Sequence, residues 1–150
     1  LKQAEDMSKN INVVVGILLR PQADSTQILI ARRPDNSVLG GFWEFPGGKI
    51  ESDETPAQCV EREFTEELGI EVAAGQALDV IEYQYPHGLV HLHPFLCRWT
   101  TGRPSNLQVA EHRWVTADQL ADFSFPPANA DLIDKLPTIV AALQTSGEPS

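Results

Sequence analysis

The stretch Gly47–Ile70, GGKIESDETPAQCVEREFTEELGI, decides how the rest of the chain is read. Thr55 suits an N-cap, Pro56 suits the first helical position, where its missing N–H costs nothing, and Gln58 completes a capping box with Thr55. Ala57, Val60, Phe64 and Leu68 recur at three- and four-residue spacing as one apolar stripe, and Gly69 stands where a C-terminal cap belongs. The spacing predicts a helix over 56–68. Glu63, Glu66 and Glu67 lie three and four apart and are expected on the face away from the stripe. Like charges so placed oppose a helix by roughly 0.2–0.5 kcal/mol per pair, and Arg62, four before Glu66, offsets only part of this. Hard carboxylate oxygens held together suit Mg2+ or Mn2+. For an E-x-x-E-E pattern taken alone, a solvated acidic face is the plainer reading. The segment upstream shifts the balance. Gly47 and Gly48 allow close backbone approach to a ligand, and Glu54 adds a carboxylate just before the cap.

Outward from this helix, Ile11–Leu19 is nearly all apolar and β-branched and reads as a buried strand. Ile28–Ala31 is the return arm of a hairpin, across the polar Gln22–Thr26. Arg32–Gly41 reads as a loop, and Phe42–Phe45 as a short aromatic stretch running into Pro46. Downstream, Ala77–Tyr85 and Leu89–Trp99 read as strands joined at Pro86-His87-Gly88, and Arg113–Val115 as a short strand. Thr116 and Gln119 form a second capping box opening a short helix to Ala121. Asp131–Leu143 is the last helix, with Leu132, Ile133, Leu136, Ile139, Val140 and Leu143 on one face and a kink expected at Pro137. The interleaving of strands and helices, with hairpins as well as crossovers, predicts a mixed sheet covered by helices in one domain over 11–144. Residues 1–10 are expected to be disordered, with Leu1–Asp6 a remnant ahead of a natural start at Met7, and the tail from Thr145 is expected to fray.

Composition narrows the classes further. With 150 residues the chain can bury a real core. Its net charge of −10 argues against wrapping a nucleic acid duplex, which needs basic stripes, although cations can bridge an acidic protein to a polyanion. No apolar run approaches the roughly 20 residues of a membrane helix, and Leu1–Asn10 carries no signal-peptide pattern. Cys59 and Cys97 lack metal-motif spacing and read as reduced, structural cysteines of a cytoplasmic protein.

Gly48, Glu54 and Arg62-Glu63-Phe64-Thr65-Glu66-Glu67-Leu68-Gly69-Ile70 stand at the spacing G-x5-E-x7-R-E-U-x-E-E-x-G-U, with U a bulky aliphatic. By this box the chain resembles the Nudix hydrolases; Phe64, aromatic at the first U, is a mild departure that bears on packing. The resemblance implies a Nudix-type α/β/α sandwich with a mixed sheet, and metal-dependent hydrolysis of a nucleoside diphosphate linked to another group. It implies that Glu63, Glu66 and Glu67 bind Mg2+ or Mn2+ with the Gly47 carbonyl, and that Arg62 orients the carboxylates. Glu54 would shape the helix–loop junction or contact the metal from outside. Glu63, with Arg62 and Glu66, makes up the expected catalytic set, Glu63 being the general base. Glu111 is the alternative base or a further metal ligand, with a plain surface acid as the other possibility.

Other segments bear on the substrate. Arg32-Arg33 with Trp43–Glu51, and Pro126-Pro127-Ala128-Asn129, resemble the MutT branch, which removes 8-oxo-dGTP from the nucleotide pool and so protects DNA. That resemblance makes Asn129 the base reader, since an amide offers both donor and acceptor. It places Phe45 in the base pocket and Arg33, Gly48 and Lys49 at the nucleotide. The plain alternatives are a helix N-cap for Asn129, core for Phe45 and a solvated loop residue for Arg33. Leu89–His93 and Glu111-His112, together with Phe42–Phe45, also resemble Nudix pyrophosphatases of cytosine nucleotides, which lack an equivalent of Asn129 in the matching segments. A nucleotide-sugar or dinucleotide hydrolase and a noncatalytic recognition domain are the remaining alternatives. His91 and His93 share a strand face; with His112 they suit hydrogen-bonded histidines better than a zinc site. The expected partner is a small nucleotide, bound by a monomer or homodimer without duplex nucleic acid or membrane.

Overall fold

A computed structural model describes residues 9–145. Eight strands, β1 (Asn10–Pro21), β2 (Thr26–Arg32), β3 (Trp43–Glu44), β4 (Gly47–Lys49), β5 (Glu71–Ala77), β6 (Ile81–Tyr85), β7 (Gly88–Thr101) and β8 (Glu111–Thr116), form one sheet. Two helices cover it, α1 (Pro56–Leu68) and α2 (Ala130–Thr145), with 3-10 turns at Ala117–Asp122 and Pro127–Asn129. The central pair β1–β7 is parallel from Asn10↔Leu89 to Leu19↔Arg98, and the other pairings are antiparallel, so the sheet is mixed.

Period-two alternation divides the core between the two faces. Val15, Ile17, Ile28 and Ile30 point to one face, where Leu132, Leu136 and Val140 of α2 close over them. Val14, Leu18, Leu29 and Ala31 point to the other, against Cys59, Val60, Phe64 and Leu68 of α1. Helix α1 comes down directly on β1 at Gly16, where a Cβ would run into the Phe64 ring and Val60. The result is the expected α/β/α sandwich.

The sheet forks where the chemistry sits. β1 and β2 stay paired only from Leu19↔Ile28 to Pro21↔Thr26. Further along, β1 takes β4 as its neighbour, from Val15↔Gly47 to Val13↔Lys49, while β2 takes β3 at Ala31↔Glu44 and Arg32↔Trp43. The segment from Trp43 to Lys49 thus crosses the fork and delivers Gly47 and Gly48 beneath α1.

Several expectations are corrected. β1 already begins at Asn10, inside the stretch expected to be disordered. The single strand expected over Ala77–Tyr85 is two, β5 and β6, and most of β5 lies upstream of it. The short helix after Thr116 is a 3-10 turn, with the Gln119 side chain accepting from the Thr116 N–H at 2.9 Å. Helix α2 continues through Pro137 and includes Thr145, where fraying was expected to begin. The proposed start at Met7 and the tail past Thr145 lie outside the described residues.

Candidate active site

Helix α1 starts and stops as its sequence dictates. Thr55 and Gln58 form the reciprocal capping box, and Gly69 closes the helix at φ 71°, its N–H donating to the Thr65 carbonyl. The carboxylates do not share one solvent face as expected. Glu67 is only 7% exposed, because it lies seven residues, two turns, past the buried Val60 and so continues the apolar stripe. Glu63 lies four past the buried Cys59 and is largely covered, whereas the Glu66 side chain is 43% exposed.

Arg62 ties these acids together. Its guanidinium donates to Glu54 at 2.8 and 2.9 Å, to Glu63 at 3.2 Å and to Glu66 at 3.0 Å. Hydrogen bonds from Arg62, more than any other cause, hold the Glu54 carboxyl down to about 2. Glu54 also accepts from the Glu51 N–H at 3.0 Å, so it buckles the loop onto the helix start. Glu63 and Glu67 behave oppositely. Burial pushes both carboxyls up, and Glu67 is pushed further by its hydrogen bond with Glu63 and by the charge of Glu44. The Gly47 backbone also reaches Glu67, and one Glu67 oxygen, Oε1, is buried without any partner. At Gly47 a Cβ would collide with the Val14 carbonyl, and at Gly48 with the Glu63 carboxylate. The two glycines therefore let backbone and carboxylate meet.

A buried carboxylate with an orphan oxygen, beside a second acid and a backbone loop, fits a hard divalent cation, which would supply the missing countercharge. Among the described residues no three acids, histidines or cysteines are already gathered as a cage. Glu63, Glu67 and the Gly47 backbone are the groups brought together, and Glu66 stands at the rim.

Glu44 is a functional candidate that the sequence reading missed. It is the one charged residue in the aromatic stretch Phe42–Phe45, which was the available signal. Burial raises its carboxyl, Arg33 holds it at 3.0 Å, and its charge acts on both Glu63 and Glu67. Arg33 also donates to the Val38 carbonyl at 2.6 Å, so it links the loop after β2 to Glu44. Glu111, in contrast, is engaged by Arg32 and Arg113, each at 3.1 Å, and hydrogen bonds from these lower its carboxyl. Its hydrogen-bonding partners are thus Arg32 and Arg113 rather than Glu63 or Glu67. Lys49 is exposed on β4.

On the other face, Phe123–Asn129 leads into α2. Phe125 packs on Phe45 with ring centroids 5.1 Å apart, and Phe45, 1% exposed, is a core residue under this turn rather than an open platform. Asn129 is 6% exposed. Its Nδ2 donates to the Pro126 carbonyl at 3.3 Å, and its Oδ1 has no partner. A carbonyl can only accept, which fixes the amide with its oxygen turned away from Pro126. The side chain bonds backward to Pro126 instead of capping α2. Elsewhere the histidines are hydrogen-bonded: His91 to Asn10 and His93 to Asn12, each at 3.0 Å, and His112 to Asn106 at 2.6 Å. His91 also faces Glu82 at 3.2 Å. Both cysteines are free and buried, and no described helix is long and apolar enough to cross a membrane.

A family model described as the NUDIX domain matches residues 14–135. Two curated relatives from Escherichia coli share 34% identity with this chain. One is an 8-oxo-dGTP diphosphatase, aligned over 128 residues, 85% of this chain and 97% of the relative. The other is a CTP pyrophosphohydrolase, aligned over 137 residues, 89% of this chain and 96% of the relative. The solution structure of the E. coli ORF135 protein superposes with a TM-score of 0.73 at 29% identity, covering 95% of this chain and 96% of that one.

Proposed function

The chain belongs to the Nudix family as a MutT-like hydrolase, and on that premise we propose that it converts nucleoside triphosphates to the monophosphate and pyrophosphate with Mg2+ or Mn2+, selecting oxidised purines such as 8-oxo-dGTP. Glu63, Glu67 and the Gly47 carbonyl would hold the metal, with Glu66 joining from the rim. Bound there, a divalent ion would supply spreading of phosphate charge and a lowered pKa for a water. Glu63 takes the proton as water attacks phosphorus in line, and the electrons of the breaking P–O bond leave with the departing phosphate oxygen. Geometry favours Glu63 over Glu111 in this role: the Glu63 carboxylate lies against Gly48 and is hydrogen-bonded with Glu67, whereas both Glu111 oxygens are engaged by Arg32 and Arg113. Arg62 keeps Glu63 and Glu66 aligned, and Glu54 anchors Arg62. Arg33, Gly48 and Lys49 would face the nucleotide, and Phe45 supports the pocket from below.

The observation that carries the substrate reading is the buried, unpartnered Oδ1 of Asn129. An acceptor there needs an N–H from the base. Guanine N7 is itself an acceptor, whereas oxidation at C8 in the keto form places a proton on N7. The same acceptor would also take the N4 amino group of cytosine, and the CTP pyrophosphohydrolase relative makes cytosine nucleotides the second reading. The intact box argues against a noncatalytic domain. Cytoplasmic action on free nucleotides by a monomer or homodimer, with one domain over 11–144, belongs to the same proposal.

The test is product analysis with 8-oxo-dGTP, dGTP, dCTP, 5-methyl-dCTP and ADP-ribose, with Mg2+ and with chelator. Monophosphate and pyrophosphate formed fastest from 8-oxo-dGTP, and only with metal, is the expected result. Preference for dCTP would move the protein to the cytosine reading, and preference for ADP-ribose would overturn both.

A further inference from the structure

Tyr85 ends β6, and its hydroxyl accepts a hydrogen bond from the backbone N–H of Ala128 at 3.2 Å. Ala128 immediately precedes Asn129. Pro126 and Pro127 bring no N–H to this turn, and the Asn129 N–H is used internally, on the Pro126 carbonyl at 3.0 Å. Among the described residues, the Tyr85 bond is thus the one from an N–H of Pro126–Asn129 to another strand of the fold. The direction of the phenol is set independently of that bond. The Tyr85 ring packs against Tyr83 at 4.7 Å and stacks on His87 at 5.4 Å, with 21° between the latter planes.

We propose that Tyr85 is a specificity-determining, positioning residue: by holding Ala128 it fixes the angle at which the Asn129 Oδ1 meets the base. The inference rests on the Asn129 reading above and adds to it a residue that need not touch the substrate. A turn three residues long, with a proline at its first position, has few internal bonds to set its orientation. Loosening its outer tether blurs the reader without disturbing the carboxylates across the sheet.

The test compares Tyr85→Phe, Tyr83→Phe, Asn129→Ala and the Tyr85→Phe/Asn129→Ala double variant, using kcat and KM for 8-oxo-dGTP, dGTP and dCTP. Tyr85→Phe keeps the stacked ring and removes only the hydroxyl. It is expected to raise KM for the preferred nucleotide about five- to tenfold, the loss of one neutral hydrogen bond, with kcat changed less than about twofold. The preference ratio falls by the same factor, Tyr83→Phe leaves it unchanged, and the double variant is no worse than Asn129→Ala because the two residues act as one unit. Equal losses on all nucleotides, a lowered melting temperature with intact preference, or additive losses in the double variant would overturn the proposal. Loss of preference in Asn129→Ala with full preference in Tyr85→Phe overturns the Tyr85 inference and leaves the Asn129 reading standing. Full preference in both single variants overturns both.

Discussion

Among the described residues, each face of the sheet buries one polar side chain with an orphan oxygen: Glu67 on α1, 7% exposed, and Asn129 in the turn leading to α2, 6% exposed. The carboxylate is raised by burial and crowded by Glu63 and Glu44, so it calls for a cation. The amide is neutral, and it lacks only a hydrogen-bond donor. A cation held by the carboxylates would meet any phosphate alike, so the α1 face could drive chemistry but could not choose a base. A single directional acceptor can choose a base but does nothing for phosphorus. On the proposed function, reaction and selection sit on opposite sides of one sheet and should separate in variants.

The sharpest way to break that separation is Glu63→Gln. It should lower kcat about 10^3-fold, the scale of a lost general base, with KM and base preference nearly unchanged. Changed preference with retained turnover would contradict the division. Glu67→Gln is expected next, at about 10^2-fold in kcat/KM, and it carries a second signature. In chelator at neutral pH it should raise the melting temperature by roughly 2–4 °C, the shift that one kcal/mol gives a domain of this size, because it removes the cost of burying an acid that is ionised in the unfolded chain. A lowered melting temperature would show that Glu67 is satisfied in a way this account misses. Asn129→Ala should cost about tenfold in kcat/KM for the preferred nucleotide and little for the others. The smallest effect concerns Glu54. Its carboxyl is held at about 2, below its unfolded value, so its stabilisation is complete above about pH 4.5 and is lost as pH falls from there toward 2. Melting curves in chelator between about pH 6 and pH 3 should therefore show a shallower acid loss in Glu54→Gln. An unchanged slope would remove the Glu54–Arg62 pair from the account.

The two faces also differed in how well they could be read from the chain. Helix α1 was legible to its caps, since Thr55, Pro56, Gln58 and Gly69 act locally. The burial of Glu67 was within reach, because Val60 and Glu67 stand two turns apart, but the acidic pattern drew the eye to a solvent face. β5 was overlooked because Ala73-Ala74-Gly75-Gln76 has little intrinsic strand tendency and depends on its pairing with β7. Asn129 was a candidate through the Pro126–Asn129 resemblance, which gave its type and position but not its burial. Glu44 and Tyr85 were not legible, because their significance is nonlocal: Glu44 interacts electrostatically with Glu63 and Glu67 across the fork, and Tyr85 reaches Ala128 43 residues away.

The most direct test of the central claim is the ratio of kcat/KM for 8-oxo-dGTP over dGTP, measured with Mg2+ in the natural protein and in Asn129→Ala. The expected ratio is well above one and collapses toward one in Asn129→Ala while turnover of dGTP persists. A ratio near one in the natural protein, or one that survives the loss of the amide, would contradict it.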